Sequence, residues 1–312
     1  MKIRKQYLLY GSLFILISTH ISCVDDKQKG IQATKIEDTK LYLGCPEYIK
    51  KGKDKNLNIS ILLDLSDRIE KGKIKKKDSA YLSSLAKSFV AHIKTKKLIL
   101  LEDRMQLFFN PEPSSDKVNE IAKKLKVNFT KDTDKELLNE TLSFYTKYPS
   151  QLYNLAKKDA DKNGDYSGSD IWRFFKNNVK DYCIDDCHRN ILVIFTDGYI
   201  YHELTVMEDK NRTSYLTPVS LNKLGLNNSN WMSTIKKKNL GFIPATANLQ
   251  DLEVLVIGIH SENDSNPYAQ DIIQYYWSNW LKEMGVKEEN YKIKNAGIPA
   301  NIEKVIFDFI LK

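Results

Sequence analysis

The chain lacks the short motifs that identify the common enzyme classes. It contains no Gly-x-Ser-x-Gly elbow, no Walker A loop and no His-Glu-x-x-His pair, which mark serine hydrolases, P-loop nucleotidases and zinc proteases. Its histidines are scattered, and no nucleophile stands out. We therefore predict a protein that is not an enzyme, with a metal-dependent hydrolase as the alternative that paired carboxylates still allow.

The chain also lacks a basic stripe interleaved with aromatic residues, which is the usual signature of a nucleic-acid interface. Its net charge is +8, but 48 lysines and arginines are interspersed with 40 acidic residues. Losing Lys2, Arg4 and Lys5 with an N-terminal leader would lower that charge to +5. The pattern predicts a solvated, lysine-rich surface and no nucleic-acid partner.

Cysteine is scarce, with only four residues in the chain, and their spacing does not fit a zinc finger. Cys183 and Cys187 lie four residues apart. In an oxidising compartment one disulfide is expected. The disulfide would join these two residues or link Cys45 to either of them, and free buried thiols are the alternative.

No apolar run is long enough to span a membrane comfortably. The apolar run at residues 7–17 follows a basic N-terminal segment and has the pattern of a signal peptide. Residues 21–23, Ile-Ser-Cys, resemble the lipobox of bacterial lipoproteins, although His20 replaces the preferred aliphatic residue. The resemblance implies a signal peptide at 1–22 and lipid attachment at Cys23. We expect a lipid-anchored protein of the cell envelope, in the outer membrane. An ordinary secretory signal or an uncleaved membrane anchor is the alternative. The Val-Asp-Asp sequence after the cysteine resembles a surface-export tag.

Residues 23–56 are polar and lysine-rich, which predicts a tether, whereas 57–312 alternates between strand and helix patterns. Predicted strands lie at 59–63, 97–101, 104–109, 190–195, 252–259 and 291–293. Predicted helices lie at 78–94, within 115–158, at 171–175, 268–284 and 301–311. Three of the strands are almost wholly apolar, as in a parallel sheet covered on both faces.

This alternation predicts a single α/β domain with a doubly wound, mostly parallel, Rossmann-like sheet and helices on both faces. Additions to the domain are expected near 110–160 and 203–248. The second of these regions is polar and is expected to be a surface insertion.

Oxygen-bearing side chains follow the predicted core segments. Asp64 and Ser66 come after the first strand, Asp197 after the fourth, and Ser169 and Asp170 precede a helix. Ligand sites in open α/β sheets lie beyond the carboxyl ends of the strands. Hydroxyls with one or two carboxylates suit Mg²⁺ or another divalent cation. The alternative is that these residues only cap helices, but three clusters at one edge favour a site.

These residues, in this order, resemble a von Willebrand factor A domain. The matching segments are Asp64–Arg68 (DLSDR), Gly168–Ile171 (GSDI) and Phe195–Gly198 (FTDG). The resemblance implies a metal-ion-dependent adhesion site held by Asp64, Ser66, Ser169 and Asp197. It also implies a protein partner that supplies a carboxylate to the metal.

One position departs from the family pattern, because Arg68 stands where the run has its second serine. Its guanidinium could pair with Asp64 and Asp197 and replace the charge of a metal. Alternatively, Arg68 points outward and the metal has one ligand fewer. The placement of Arg68 therefore decides between a working metal site and a degenerate one. If the metal site is degenerate, a partner would bind through the insertions instead.

A second metal signal lies at residues 159–170, whose spacing fits an EF-hand calcium loop. Its candidate Ca²⁺ ligands are Asp159, Asp161, Asn163, Asp165, Ser167 and Asp170. An ordinary Asp- and Gly-rich turn is the alternative. Taken together, the sequence predicts a cell-envelope binding or scaffold module.

Overall fold

The computed structural model describes residues 55–163, 166, 170–261 and 266–312, all of which belong to one compact unit. Among these residues, no helix is both long and apolar enough to cross a membrane. The predicted signal peptide, the lipidation site Cys23 and nearly all of the tether lie outside the described residues. They remain predictions.

A six-stranded sheet forms the centre of the fold. The strands of the described residues are β1 (Asn56–Leu63), β2 (Glu102–Phe108), β3 (Val127–Thr130), β4 (His188–Phe195), β5 (Glu208–Asp209), β6 (Arg212–Thr213), β7 (Gly241–Phe242), β8 (Leu252–Ile259) and β9 (Tyr291–Asn295). Of these, β5, β6 and β7 form a second, small sheet. The main sheet has the order β3-β2-β1-β4-β8-β9. Only β3 runs antiparallel to its neighbour. When the six strands of this sheet alone are numbered along the chain, β8 and β9 become strands 5 and 6, and the order is 3-2-1-4-5-6. This is the order of a doubly wound sheet, so the predicted fold class is confirmed.

Helices cover both faces of this sheet. They are α1 (Gly72–Lys94), α2 (Asp116–Lys124), α3 (Glu136–Asn163), α4 (Ile171–Asn177), α5 (Val179–Cys183), α6 (Pro218–Lys223), α7 (Trp231–Lys238), α8 (Ala269–Glu283) and α9 (Pro299–Ile310). Alternate side chains of β1 point to opposite faces. Ile61 packs with residues of α1, α3 and α9, whereas Leu62 packs with residues of α4 and α8.

Two expected elements differ in the structure. The segment expected as a strand at 97–101 contains a short 3-10 turn, Leu98–Leu100, and Ile99 is 76% exposed. The stretch at 115–158 is not continuous helix, because β3 separates α2 from α3. With only four residues and alternating burial, β3 is too short to give a clear period.

The two expected additions belong to the body of the domain. The region near 110–160 supplies edge strand β3 and helix α3, which packs along α1. The region at 203–248 is largely exposed but is anchored in the core. It forms the small β5-β6-β7 sheet and buries Leu221, Ile235 and Phe242 in the core on the α8 face.

The two neighbouring cysteines are not joined to each other. Cys183 is a buried free thiol, and burial raises its pKa to about 12. Cys187 is disulfide-bonded. The alternative disulfide that joins Cys183 to Cys187 is therefore wrong, and the partner of Cys187 lies outside the described residues.

Candidate functional site

The candidate site lies at the carboxyl ends of the adjacent strands β1 and β4. Strand order reverses between these two strands, and open α/β sheets bind ligands in the crevice at such a point. The N–H of Asp64 donates to the carbonyl oxygen of Phe195 (3.0 Å), so the two strand ends remain paired up to the site. Asp64 and Asp197 therefore lie beside each other at one edge of the sheet.

Both carboxylate oxygens of Asp64 have protein donors. The N–H of Ser66 donates to Oδ1 (3.0 Å), and the hydroxyl of Thr196 donates to Oδ2 (2.8 Å). The N–H of Gly198 in turn donates to the Thr196 hydroxyl (3.0 Å). Because each carboxylate oxygen can accept more than one bond, these contacts fix the carboxylate without using all of its acceptor positions.

The environment of Asp64 opposes its negative charge. The residue is 2% exposed, and burial raises its pKa above the ordinary value. The charge of Arg68 and hydrogen bonds from Ser66 and Thr196 act in the opposite direction without cancelling the effect of burial. A cation nearby would favour the ionised carboxylate.

Asp197 occupies the matching position after β4 and is 6% exposed. Its Oδ1 accepts the N–H of Tyr199 (3.1 Å), and its carbonyl oxygen accepts the N–H of His260 (3.0 Å). These bonds hold the turn after β4 against the end of β8. Asp197 is thus positioned by backbone on two neighbouring strands.

The three described candidate ligands open into one cleft of about 650 Å³. Asp64, Ser66 and Asp197 form part of its lining. The other lining residues are Asp67, Pro111, Tyr166, Arg173, Tyr199, Tyr201, His202, Glu203, Leu204, Leu216, Thr217 and Pro218. Ser169 lies outside the described residues, so its expected place in the site remains a prediction.

Arg68 takes neither of the two arrangements expected from the sequence. Its side chain is 2% exposed, and Nη1 donates to Oδ2 of Asp78 (2.9 Å) and to the backbone oxygen of Asp64 (3.1 Å). The Tyr153 hydroxyl donates to the same Asp78 oxygen (2.7 Å). The ion pair thus lies beneath the cleft and involves Asp78 of α1, while Arg68 supports the Asp64 turn through its backbone.

Charges around this guanidinium keep it protonated. Burial alone lowers the pKa of Arg68, but the charge of Asp78 and smaller contributions from Tyr153, Asp64 and Asp197 raise it above the ordinary value. The close ion pair of Arg68 is with Asp78, and its charge acts on the Asp64 carboxylate without a direct side-chain contact.

Asp170 forms a separate, structural contact beside the cleft. It is fully buried and caps α4, accepting the N–H of Arg173 (3.0 Å) and the hydroxyl of Thr205 (3.0 Å) at Oδ1. Its Oδ2 lies 3.5 Å from Nδ1 of His202. Asp170 therefore joins the start of α4 to the loop at 202–205.

The described part of the calcium-type loop does not form a shared ligand set. Asp159 and Asp161 both lie within α3, where side chains two residues apart point to nearly opposite sides. Asp161 is exposed and pairs with Lys157 (3.6 Å). Asp165, Ser167 and the side chain of Asn163 lie outside the description.

The cleft is lined by several oxygen donors. Across the described residues, no group of three or more His, Cys, Asp or Glu side chains could hold a metal ion. A site here must therefore rely on hydroxyls and water besides Asp64 and Asp197. Mg²⁺ suits that donor set, because it keeps several waters and takes only one or two carboxylates.

Comparisons with known proteins leave the family open. No protein-family model matches the chain, and no curated protein matches it. Two crystal structures of the pilus adhesin SpaC from Lactobacillus rhamnosus GG are similar at 11% identity, with TM-scores of 0.36 and 0.32, the second in an open conformation. Each similarity covers 82% of this chain but only 30% of the adhesin chain. Similarity this low establishes neither membership of a family nor function.

Two residues of the site were missed in the sequence. Thr196 donates to Asp64, and its position directly before Asp197 at a strand end was the available signal. Asp78 lies on the core-facing side of α1, three and four residues before the buried Tyr81 and Leu82. A carboxylate at a core position indicates a buried cationic partner, here Arg68.

Proposed function

We propose that this chain is a binding module of the cell envelope that holds a divalent cation in the β1/β4 cleft. Asp64, Ser66 and Asp197 would be its ligands, with Ser169 as the fourth. A partner protein would supply a carboxylate to the coordination position that remains open. The site is thus proposed to recognise a partner rather than to catalyse a reaction.

The observation that supports this proposal most is the arrangement of the two carboxylates. Asp64 and Asp197 follow neighbouring parallel strands, both are nearly buried, and both line the same cleft. The cation of the arginine below them is paired with Asp78. Two adjacent buried carboxylates are electrostatically costly, and a divalent ion would offset that cost.

Titration calorimetry on the full chain with Mg²⁺, Mn²⁺ and Ca²⁺ tests the proposal. We expect one site per chain, lost in Asp197→Asn. Asp251→Asn is the matched control, because this exposed carboxylate precedes β8 at the opposite edge of the sheet. If none of the three ions binds, the metal-dependent function is wrong and the degenerate site is favoured.

The predicted location in the cell envelope needs a separate experiment. Metabolic labelling with an alkyne-tagged fatty acid should mark the wild-type protein and fail to mark Cys23→Ser. Labelling that is unchanged in Cys23→Ser would contradict lipid attachment at this residue. Fractionation of the labelled cells then tests the expected outer-membrane location.

A further inference from the structure

An exposed apolar surface borders the mouth of the cleft. Five large apolar side chains, which we call the rim, are exposed within nineteen residues: Tyr201, Leu204, Val206, Met207 and Val219. They are five of the eleven exposed large apolar residues in the described part of the chain. Single exposed apolar residues are ordinary, whereas a cluster of this kind indicates an interaction surface.

Part of the rim lines or adjoins the cleft. Tyr201 and Leu204 line the cleft directly, and Val219 follows Pro218, which also lines it. Leu204 is 73% exposed and Val219 is 63% exposed. A molecule that reached Asp64 and Asp197 from solvent would therefore contact the rim.

Hydrogen bonds hold the rim in place. Backbone atoms of Ile200 and Leu216 bond reciprocally (2.9 and 2.8 Å), and the N–H of Met207 donates to the Ser214 hydroxyl (2.8 Å). Thr205, between the rim residues, donates to the buried Asp170. A surface ordered before binding loses less conformational entropy when a partner docks.

The cleft wall next to the rim carries a cation suited to a carboxylate. Arg173 lines the cleft and is exposed, and no described carboxylate lies within ion-pair distance of its guanidinium. Its planar fork can bind a carboxylate through two parallel hydrogen bonds. Asp67 and Glu203 also line the cleft, so an acidic ligand is repelled unless a cation compensates for them.

We infer that the rim and Arg173 form the docking surface for a protein segment in which a carboxylate is flanked by apolar side chains. This inference rests on the proposed function, because it takes the β1/β4 cleft as the partner site. The rim buries the apolar side chains, and Arg173 binds that carboxylate group. Arg173 is therefore a specificity-determining residue that does not depend on the metal ligands.

The probe is a set of fluorescent hexapeptides with one Asp or Glu between Leu, Phe or Tyr residues. Twin sets carry Asn or Gln instead of the acid, or Gly and Ser instead of the apolar residues. Binding to the full chain with excess Mg²⁺ is measured by anisotropy. We expect the acidic, apolar set to bind at least about tenfold more tightly than either twin set.

Variants assign that binding to the surface. The pair Leu204→Ser with Val219→Ser, and separately Arg173→Gln, should each weaken binding by about tenfold. Arg173→Lys should recover part of the loss, and Glu203→Gln should strengthen binding. Ile99→Ser removes an equally exposed apolar side chain before β2, at the opposite edge of the sheet, and should change nothing.

The outcomes separate this inference from the proposed function. Binding that resists EDTA but is lost in the rim pair would support the docking surface and contradict the metal site. Binding abolished by EDTA but unaffected in the rim pair and in Arg173→Gln would overturn the docking surface alone. A preference for phosphopeptides, self-association through the rim, or no acidic preference would also overturn it.

Discussion

The buried Arg68–Asp78 pair permits the sharpest prediction about stability. Both side chains are 2% exposed, and the pair shares the Tyr153 hydroxyl bond at Asp78. Asp78→Asn keeps the size and an acceptor for Tyr153 but leaves the guanidinium buried without its counter-ion. Breaking a buried pair on one side costs about 3–5 kcal/mol, which is a large part of the roughly 5–15 kcal/mol that stabilises a domain.

Urea unfolding followed by tryptophan fluorescence measures this cost. We expect Asp78→Asn to lower the free energy of unfolding by about 3–5 kcal/mol, with the exposed Asp251→Asn within about 0.5 kcal/mol of wild type. Adding Arg68→Met to Asp78→Asn should restore roughly 1–2 kcal/mol, since no unpaired charge then remains buried. A cost below about 1 kcal/mol for Asp78→Asn, or no recovery in the double variant, would refute this reasoning.

Three further predictions concern other parts of the fold. Gly258 has φ +110°, and an added Cβ would lie 2.7 Å from the backbone oxygen of Thr196. Gly258→Ala should therefore lower the free energy of unfolding in urea by at least about 1–3 kcal/mol, and an unchanged urea midpoint would contradict this. The buried Cys183 thiol, with its pKa raised to about 12, should react with maleimide only in denaturant, and rapid labelling of the native protein would count against it. Burial raises the pKa of Glu253, but hydrogen bonds from Arg189 and the charge of Arg189 lower it below 4.5. The stability that this pair contributes is therefore present above pH 4.5 and is lost as the pH falls through the lowered pKa. Glu253→Gln should flatten the acid side of the curve of stability against pH, and an unchanged curve would exclude the Glu253–Arg189 pair as a cause of acid unfolding.

The strands that carry the site could be predicted from sequence because burial on both faces leaves a simple pattern. The end of β1 (Ile61–Leu63) and most of β8 are apolar runs, and the polar residues directly after a run mark its end. By contrast, Leu98 and Ile99 are apolar but exposed, so apolar character alone wrongly suggested a strand. Composition does not distinguish a buried run from an exposed one when the run is short.

The position of Arg68 shows what local patterns cannot predict. The identity of this residue raised two possibilities, both of which involved charges at the strand ends. The structure instead pairs it with Asp78, ten residues further along the chain and in the second turn of α1. The partner of a buried charge depends on how a helix packs over the sheet, which a linear motif does not specify.

The core contacts of the region at 203–248 were not predicted, for a related reason. Its polar composition suggested a surface insertion, yet Leu221, Ile235 and Phe242 are buried against the α8 face. A few apolar residues spaced along a polar segment can anchor it to a core, and average polarity conceals them. The same segment supplies much of the cleft wall and the rim.

The central claim is that Asp64, Ser66 and Asp197 hold one divalent cation in the β1/β4 cleft. Anomalous diffraction from crystals of the protein grown with Mn²⁺ tests it most directly, because the manganese signal locates the ion without reference to the surrounding density. We predict a single strong peak bonded to the Ser66 hydroxyl and to oxygen of Asp64 or Asp197, and none in crystals of Asp197→Asn. No peak in the cleft, or a peak only beside Asp159 and Asp161, would contradict it.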